Sequence, residues 1–257
     1  MLIGCSTFCV DSGIPLIEKL RIIKDAGFPF IGICAEDLPD VADISSVIKA
    51  VSEIKISISS CHCPTILDMK DDVGQTVDSL YNELATAVAI GCKFFVISFE
   101  SGGAQEQSEY AHSILVKLLP IAHAHKVIIG IENTDFEHIQ NIASVIANIN
   151  SPFVRSVFNI GNCTNNGGNL NPECSAQAID ILGRSIIEIH VSDADKEQSH
   201  LIPGKGQTLW VKLGIAILRT KYRGYWMLEY KNKEPALTLS EGMDFIYKFT
   251  GRQRVVM

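Results

Sequence analysis

Short apolar runs separated by longer amphipathic stretches recur along the whole chain. The runs fall at 2–8 (LIGCSTF), 30–34 (FIGIC), 55–63 (KISISSCHC), 92–98 (CKFFVIS), 127–133 (VIIGIEN), 155–160 (RSVFNI), 186–193 (IIEIHVSD) and 225–230 (YWMLEY). They are brief, apolar and often β-branched, as strands of a buried parallel sheet need to be. Between them the apolar positions change to helical spacing. The stretch 14–27 (IPLIEKLRIIKDAG) has Pro15 near its start and Gly27 at its end, the expected start and stop residues of a helix. In the fourth such stretch, Pro120 predicts a kink or an end.

Strand starts recur about every 30 residues, the repeat of a strand–helix unit. Eight units in 257 residues predict an α/β protein, a single (β/α)8 TIM barrel spanning residues 1–257. A doubly wound sheet is the alternative, but the first strand–helix turn lacks a GxGxxG sequence. No change in composition marks a second domain.

Composition narrows the partners. Hydrophobic residues make up 47% of the chain, ample for a buried core, yet no apolar run is long enough to span a bilayer. The start of the chain lacks the basic and long apolar regions of a signal peptide, so a cytoplasmic protein without membrane contact is expected. The formal charge of −7 argues against a nucleic-acid partner, which would be held by Lys and Arg. The eight cysteines show no repeated CxxC and are expected to be reduced thiols. CHC at 61–63 lacks the second ligand cluster of a zinc knuckle.

A barrel of this kind carries its chemistry at the C-terminal ends of its strands. Read in order, those ends present Thr7, Glu36, His62, Ser98 with Glu100, Glu132, Asn159, His190 with Asp193, and Glu229. Polar residues at a strand exit are ordinary. Glu132 and Glu229 stand out because they lie within or at the edge of apolar runs, where an unpaired carboxylate is costly. The plain structural reading is a buried ion pair with Lys or Arg. Together with His190 they instead make an N/O donor set suited to Mn2+, Mg2+, Co2+ or Zn2+. Asp193 would orient a ligand or cap a helix, and Arg155 with Glu188 is expected to form an ion pair between adjacent strands.

The segments IGIENT, FNIGN, IHVSDAD…HLIPGKG and WMLEY resemble the xylose isomerase-like sugar-phosphate isomerases and epimerases, a family that shares its barrel with endonuclease IV. The resemblance covers nearly the whole chain. It implies one divalent metal ion held by Glu132, Asn159, His190 and Glu229, with Glu132 and Glu229 also acting as the two opposed acid–base groups. Removing a proton next to a carbonyl leaves a charge that a metal stabilises and two carboxylates can manage. The resemblance places His62, Asn162, Asp193, His200 and Lys205 at the substrate, with the PGKG turn at 203–206 offering backbone amides and Lys205 to a phosphate or sugar hydroxyls. Lys231 and Lys233 fall near the rim as a solvated charge run.

The departures are informative. The family's DxGH at the sixth strand is NIGN here, so Asn159 replaces a metal aspartate and Asn162 a histidine. Ser98 stands where a histidine is common. A neutral carbonyl at Asn159 predicts weaker metal binding; as a donor, its NH2 would instead hydrogen-bond a glutamate in a metal-free site. The DNA-repair branch fits worse, since Gln198 stands where it has an aspartate. The expected function is metal-dependent isomerisation or epimerisation of a small sugar or sugar phosphate. A catalytically degenerate barrel that binds a polar ligand or a protein partner is the alternative, and a dehydratase on the same scaffold is a further one. Dimers are common in the family, leaving a homodimer open. The segment 162–174 reads as a polar loop, either a partial lid or simply mobile.

Overall fold

Eight parallel strands close into a barrel in the computed structural model, which describes residues 2–39, 43–98, 104–166, 168–231 and 235–251. The strands are β1 (Leu2–Ser6), β2 (Phe30–Ile33), β3 (Ser57–His62), β4 (Phe94–Ser98), β5 (Ile128–Glu132), β6 (Val154–Asn159), β7 (Ile186–Val191) and β8 (Tyr225–Leu228). Each pairs with its sequence neighbours, and β8 returns to β1. The helices outside the barrel are α1 (Leu16–Asp25), α2 (Ile44–Ile54), α3 (Val73–Ala89), α4 (Ala104–His125), α5 (Ile139–Ile149), α6 (Cys174–Leu182), α7 (Trp210–Thr220) and α8 (Pro235–Phe249). All eight apolar runs are strands, trimmed by up to two residues at either end; only at β6 does the strand begin one residue earlier. Among the described residues no helix is long and apolar enough to cross a membrane.

Pro120 does not end α4, which continues to His125. Its ring lies on the exposed face, where water can take the carbonyl left without an amide donor. The neighbouring carbonyl of Lys117 accepts from Tyr81 Oη at 2.8 Å. The segment after β6 is also more regular than a loop. A short helix (Ile160–Thr164) leads into a two-stranded antiparallel ribbon, Asn165–Asn166 with Asn169–Leu170. All eight cysteines are buried and free.

Alternation along the strands sorts the two faces. One face packs with the helices in the main core; the other fills the barrel. Phe94, Val96, Val157 and Tyr225 form a small apolar cluster inside, with Leu2, Phe30, Ile128 and Ile187 against it. Two or four residues further along the same phase lie Ser98, Glu132, Asn159 and Glu229. The lower barrel is therefore a plug, and the polar residues form the layer above it. Glycine fits where a neighbour already fills the interior. A Cβ at Gly130 would sit 2.6 Å from Val157 Cγ2. Gly130→Ala is expected to cost about 1–3 kcal/mol through overpacking, lowering the melting temperature by roughly 2–12 °C. Thermal denaturation checks this, and Val157→Ala in the same chain should recover part of the loss.

Candidate active site

The polar layer is built from the ends of six consecutive strands, β3 to β8. The registers Ser98 with Glu132 and Asn159 with His190 set four of these residues side by side. Glu229 follows β8 directly, and its amide donates to Val191 O at 3.1 Å. His62 ends β3. Glu132, Asn159, His190 and Glu229 are all buried.

His190 is the hub. Its Nδ1 lies 2.7 Å from Glu132 Oε1 and 3.4 Å from Glu229 Oε2, while Nε2 lies 2.8 Å from Glu188 Oε1. Complete burial would by itself strip the ring of its proton. Glu229 and Glu132 outweigh burial and hold the imidazole pKa well above its ordinary value. Both glutamates show the reciprocal balance. Burial pushes Glu132 up, but His190 and His62, with hydrogen bonds from His190 and Asn159, hold it well below the usual carboxylate range. Glu229 is likewise held down, mainly by His190 against burial and the repulsion of Glu132. The layer thus gathers three carboxylates, Glu132, Glu188 and Glu229, around one imidazole.

Asn159 completes the set from the other side. Its Nδ2 donates to Glu132 Oε1 and to Glu229 Oε1, each at 3.0 Å. Its Oδ1 accepts from the backbone N–H of Asn162 at 3.1 Å and so caps the short helix that follows. A backbone amide can only donate, so this contact fixes which way the carboxamide points. The oxygen faces away from the glutamates and the NH2 faces them.

The expected Arg155–Glu188 ion pair does not form. Arg155 Nη1 donates to Ser151 O (2.7 Å) and Val154 O (2.8 Å). Glu188, wholly buried, is taken by His190 and by Ser60 Oγ at 2.8 Å, and its Oε2 has no hydrogen-bond partner. Nor do Glu132 and Glu229 pair with Lys or Arg among the described residues; histidine and asparagine supply their partners.

Of the residues expected at a substrate, His62 and His200 reach the cluster. His62 Nδ1 is 3.6 Å from Glu132 Oε2 and its Nε2 3.8 Å from Glu229 Oε2. His200 Nε2 is 3.9 Å from Glu229 Oε1, and burial lowers its pKa despite Glu229 and Glu132 nearby. Asn162 donates through Nδ2 to Asn133 O at 3.3 Å. Asp193 is engaged entirely with the loop that follows it, and Lys205 is exposed. Thr7 accepts from Cys34 N, and Glu36 is exposed on a short turn of helix. Glu100 and Lys233 lie outside the described residues.

Two residues, Asn133 and Ser60, were not read from the sequence as part of the site. Asn133 donates to Asn159 O (3.0 Å) and accepts from Asn159 N (2.8 Å), locking the ends of β5 and β6 together. Ser60 braces Glu188, and Ser98 Oγ donates to Glu132 Oε2 at 3.2 Å. Ser60 shares the inward phase of His62, so alternation alone would have found it.

Glu132, His190 and Glu229 bring one ligand atom each within 4.8 Å of one another. Two carboxylates, an imidazole and a carboxylate behind its other nitrogen suit a divalent ion. This three-ligand set fits; Asn159 in its present orientation is not a fourth ligand. His62, Glu188 and His190 are also close enough to share an ion. However, imidazole lone pairs lie in the ring plane, and the His62 and His190 rings stack at 4.9 Å with 29° between planes. They cannot both aim at one ion.

The family model for the xylose isomerase-like TIM barrel matches residues 20–249. The chain belongs to that family. Among solved structures, this xylose isomerase-like barrel is similar to 3-keto-D-glucoside 4-epimerase from E. coli, with a TM-score of 0.74 and 16% identity over 96% of this chain and 99% of that one. It is also similar to D-psicose 3-epimerase, solved in the presence of D-fructose (TM-score 0.76, 11% identity, 98% of this chain and 100% of that one). The IOLI protein with a binding zinc atom matches with a TM-score of 0.77 and 16% identity over 97% of this chain and 96% of that one. At these identities the likeness establishes the fold. No curated protein matches the chain.

Proposed function

We propose that the protein is a sugar epimerase or isomerase in which Glu132 and Glu229 move the proton next to a carbonyl carbon. The observation that carries this reading is the pair itself: two buried carboxylates at the ends of β5 and β8, both held ionised, joined at their Oε1 atoms by the Asn159 NH2. An ionised, positioned carboxylate is a competent general base. The pairing leaves Glu132 Oε2 beside Ser98 and His62, and Glu229 Oε2 beside His190 and His62. His62 would orient substrate hydroxyls between the two carboxylates. His200, its pKa lowered by burial, offers a neutral imidazole beside Glu229 for the same purpose.

Glu132, His190 and Glu229 would hold a divalent ion (Mn2+, Mg2+, Co2+ or Zn2+), which supplies Lewis-acid stabilisation of the charge that develops as the proton leaves. The relatives that act on free and glucosidic keto sugars, and the one with a bound zinc, support this choice. The Asn159 bridge favours a second reading, because it satisfies both glutamates without an ion. On that reading the barrel binds a polyol and does not turn it over.

The two readings separate in deuterated water. Ketohexoses and 3-keto-glucosides, incubated with the protein and each of the four ions, should lose the proton next to the carbonyl as followed by NMR. Absence of exchange with every sugar and ion, alongside saturable sugar binding, would leave only the binding reading.

A further inference from the structure

Two thiols that the proposed chemistry does not use meet beside the exit of β6. The short helix Ile160–Thr164, capped by the Asn159 carboxamide, carries Cys163, and α6 begins at Cys174. Their Sγ atoms lie 3.5 Å apart. The backbones on either side are already fastened to each other. Asn171 N donates to Thr164 O at 2.9 Å, and the hydroxyls of Thr164 and Ser175, the residues that follow the two cysteines, are 2.9 Å apart. A disulfide holds its sulfurs at about 2.0 Å, so what remains is a small closure of two side chains. Other buried thiols are committed to the backbone. Cys9 Sγ donates to Leu228 O and accepts from Tyr230 N, both at 3.3 Å, and Cys63 Sγ donates to Thr65 O at 2.9 Å. Cys163 Sγ faces another sulfur instead.

Of the two, Cys174 is the better nucleophile. Burial pushes the Cys163 thiol well above its ordinary range, and the neighbouring thiol adds to this. Cys174 is drawn below its usual value, first by the Cys163 thiol and then, against burial, by the amides of Cys174 and Ser175 at the start of α6. The carbonyls of Cys163 (2.6 Å) and Asn171 (2.8 Å) accept from its S–H, which moderates that reactivity without reversing the order of the pair. Both sulfurs are buried, so the oxidant that reaches them is a small one.

We propose that Cys163 and Cys174 form an oxidation site, in which hydrogen peroxide converts the two thiols to a disulfide that ties the short helix after β6 to α6. The Cys174 sulfur attacks one peroxide oxygen, the O–O bond breaks, and the other oxygen leaves as water with the thiol proton. The Cys163 sulfur then attacks the resulting sulfenic sulfur, the S–S bond forms, and the hydroxyl leaves with the Cys163 proton as a second water. The thiol pair gives up two electrons and peroxide takes them. The test uses the intact protein, treated with hydrogen peroxide and then alkylated under denaturing conditions. Trypsin releases residues 156–184 as one peptide that holds both cysteines and no other. After peroxide this peptide should be two hydrogens lighter and carry no alkyl group; dithiothreitol before alkylation should restore an alkyl group on each cysteine. The melting temperature of the treated protein should rise by about 4–12 °C and return with dithiothreitol. Cys163→Ala and Cys174→Ala should each abolish the rise, and the peptide readout needs neither variant if one does not fold. Alkylation of both cysteines after peroxide, or a sulfinic acid at Cys174 with Cys163 still alkylated, would overturn the proposal. A disulfide that leaves the melting temperature unchanged would overturn the tie to α6.

Discussion

Asn159→Asp is expected to weaken the metal-free protein and, at the same time, strengthen its hold on a divalent ion. The asparagine NH2 donates to both glutamates, and an aspartate removes both donors and adds a third negative group beside them. Hydrogen bonds to charged groups contribute about 1.5–3 kcal/mol each, so the metal-free variant should lose roughly 3–5 kcal/mol. The melting temperature in chelator should then fall by about 6–20 °C. The helix cap survives, because one aspartate oxygen can accept from Asn162 N as Asn159 Oδ1 does now. That leaves the second oxygen for an ion. A unit charge near 4 Å contributes up to about 4 kcal/mol at a surface-like dielectric, so after reorganisation an affinity gain of about 100-fold is expected. Melting with and without chelator, and calorimetric titration with Mn2+ and Zn2+, read the two halves separately. Unchanged stability in chelator would mean that Asn159 does not bridge the glutamates. Loss of stability without a gain in affinity would mean that Glu132, His190 and Glu229 do not hold an ion.

That opposition explains what the sequence could and could not show. The eight strands were legible because a parallel strand buried on both faces must be a short apolar run, and helices between strands must be amphipathic. The location of Glu132, His190 and Glu229 followed from the same rule: polar residues inside apolar runs mark the inner face. Chemistry that depends on where a side chain turns was not legible. Asparagine at 159 left open whether oxygen or nitrogen faces the glutamates, and only the helix beginning at Ile160 decides it. Glu188 was assigned to Arg155 by strand adjacency, but the alternation sends it inward to His190 and Ser60 while Arg155 caps its own turn. Asp193, three residues after His190, was read as orienting a ligand, capping a helix or meeting substrate. Its role depends on donors at 194, 204, 208 and 210, which only the folded loop gathers.

Glu188 also shows why the site holds His190 so firmly. With Glu132 on one nitrogen and Glu188 on the other, His190 is fixed in position and direction by two carboxylates on different strands. The ring cannot rotate to follow one partner without abandoning the other. The two proposed acid–base groups are thereby tied to a rigid post rather than to mobile loops, which is the arrangement that proton transfer over short distances needs.

Glu132→Gln and Glu229→Gln are expected to reduce epimerisation by about 10²–10⁴-fold each, the range for loss of a positioned general acid or base. Glutamine keeps the shape and can still accept from Asn159 through its carbonyl, so gross collapse of the layer is not the expected cause. The two variants should differ in a way that simple damage would not produce. If each glutamate serves one face of the reacting carbon, Glu132→Gln retains its intact base only on the Glu229 face, and Glu229→Gln only on the Glu132 face. Each variant should then wash solvent deuterium into one epimer and not the other, with opposite choices and with interconversion far slower than the wash-in. NMR of both epimers in deuterated water reads this directly. Normal turnover in either variant would remove that glutamate from the proton path. Wash-in to the same epimer in both would leave no role for two opposed bases and would assign the glutamates to holding the ion alone.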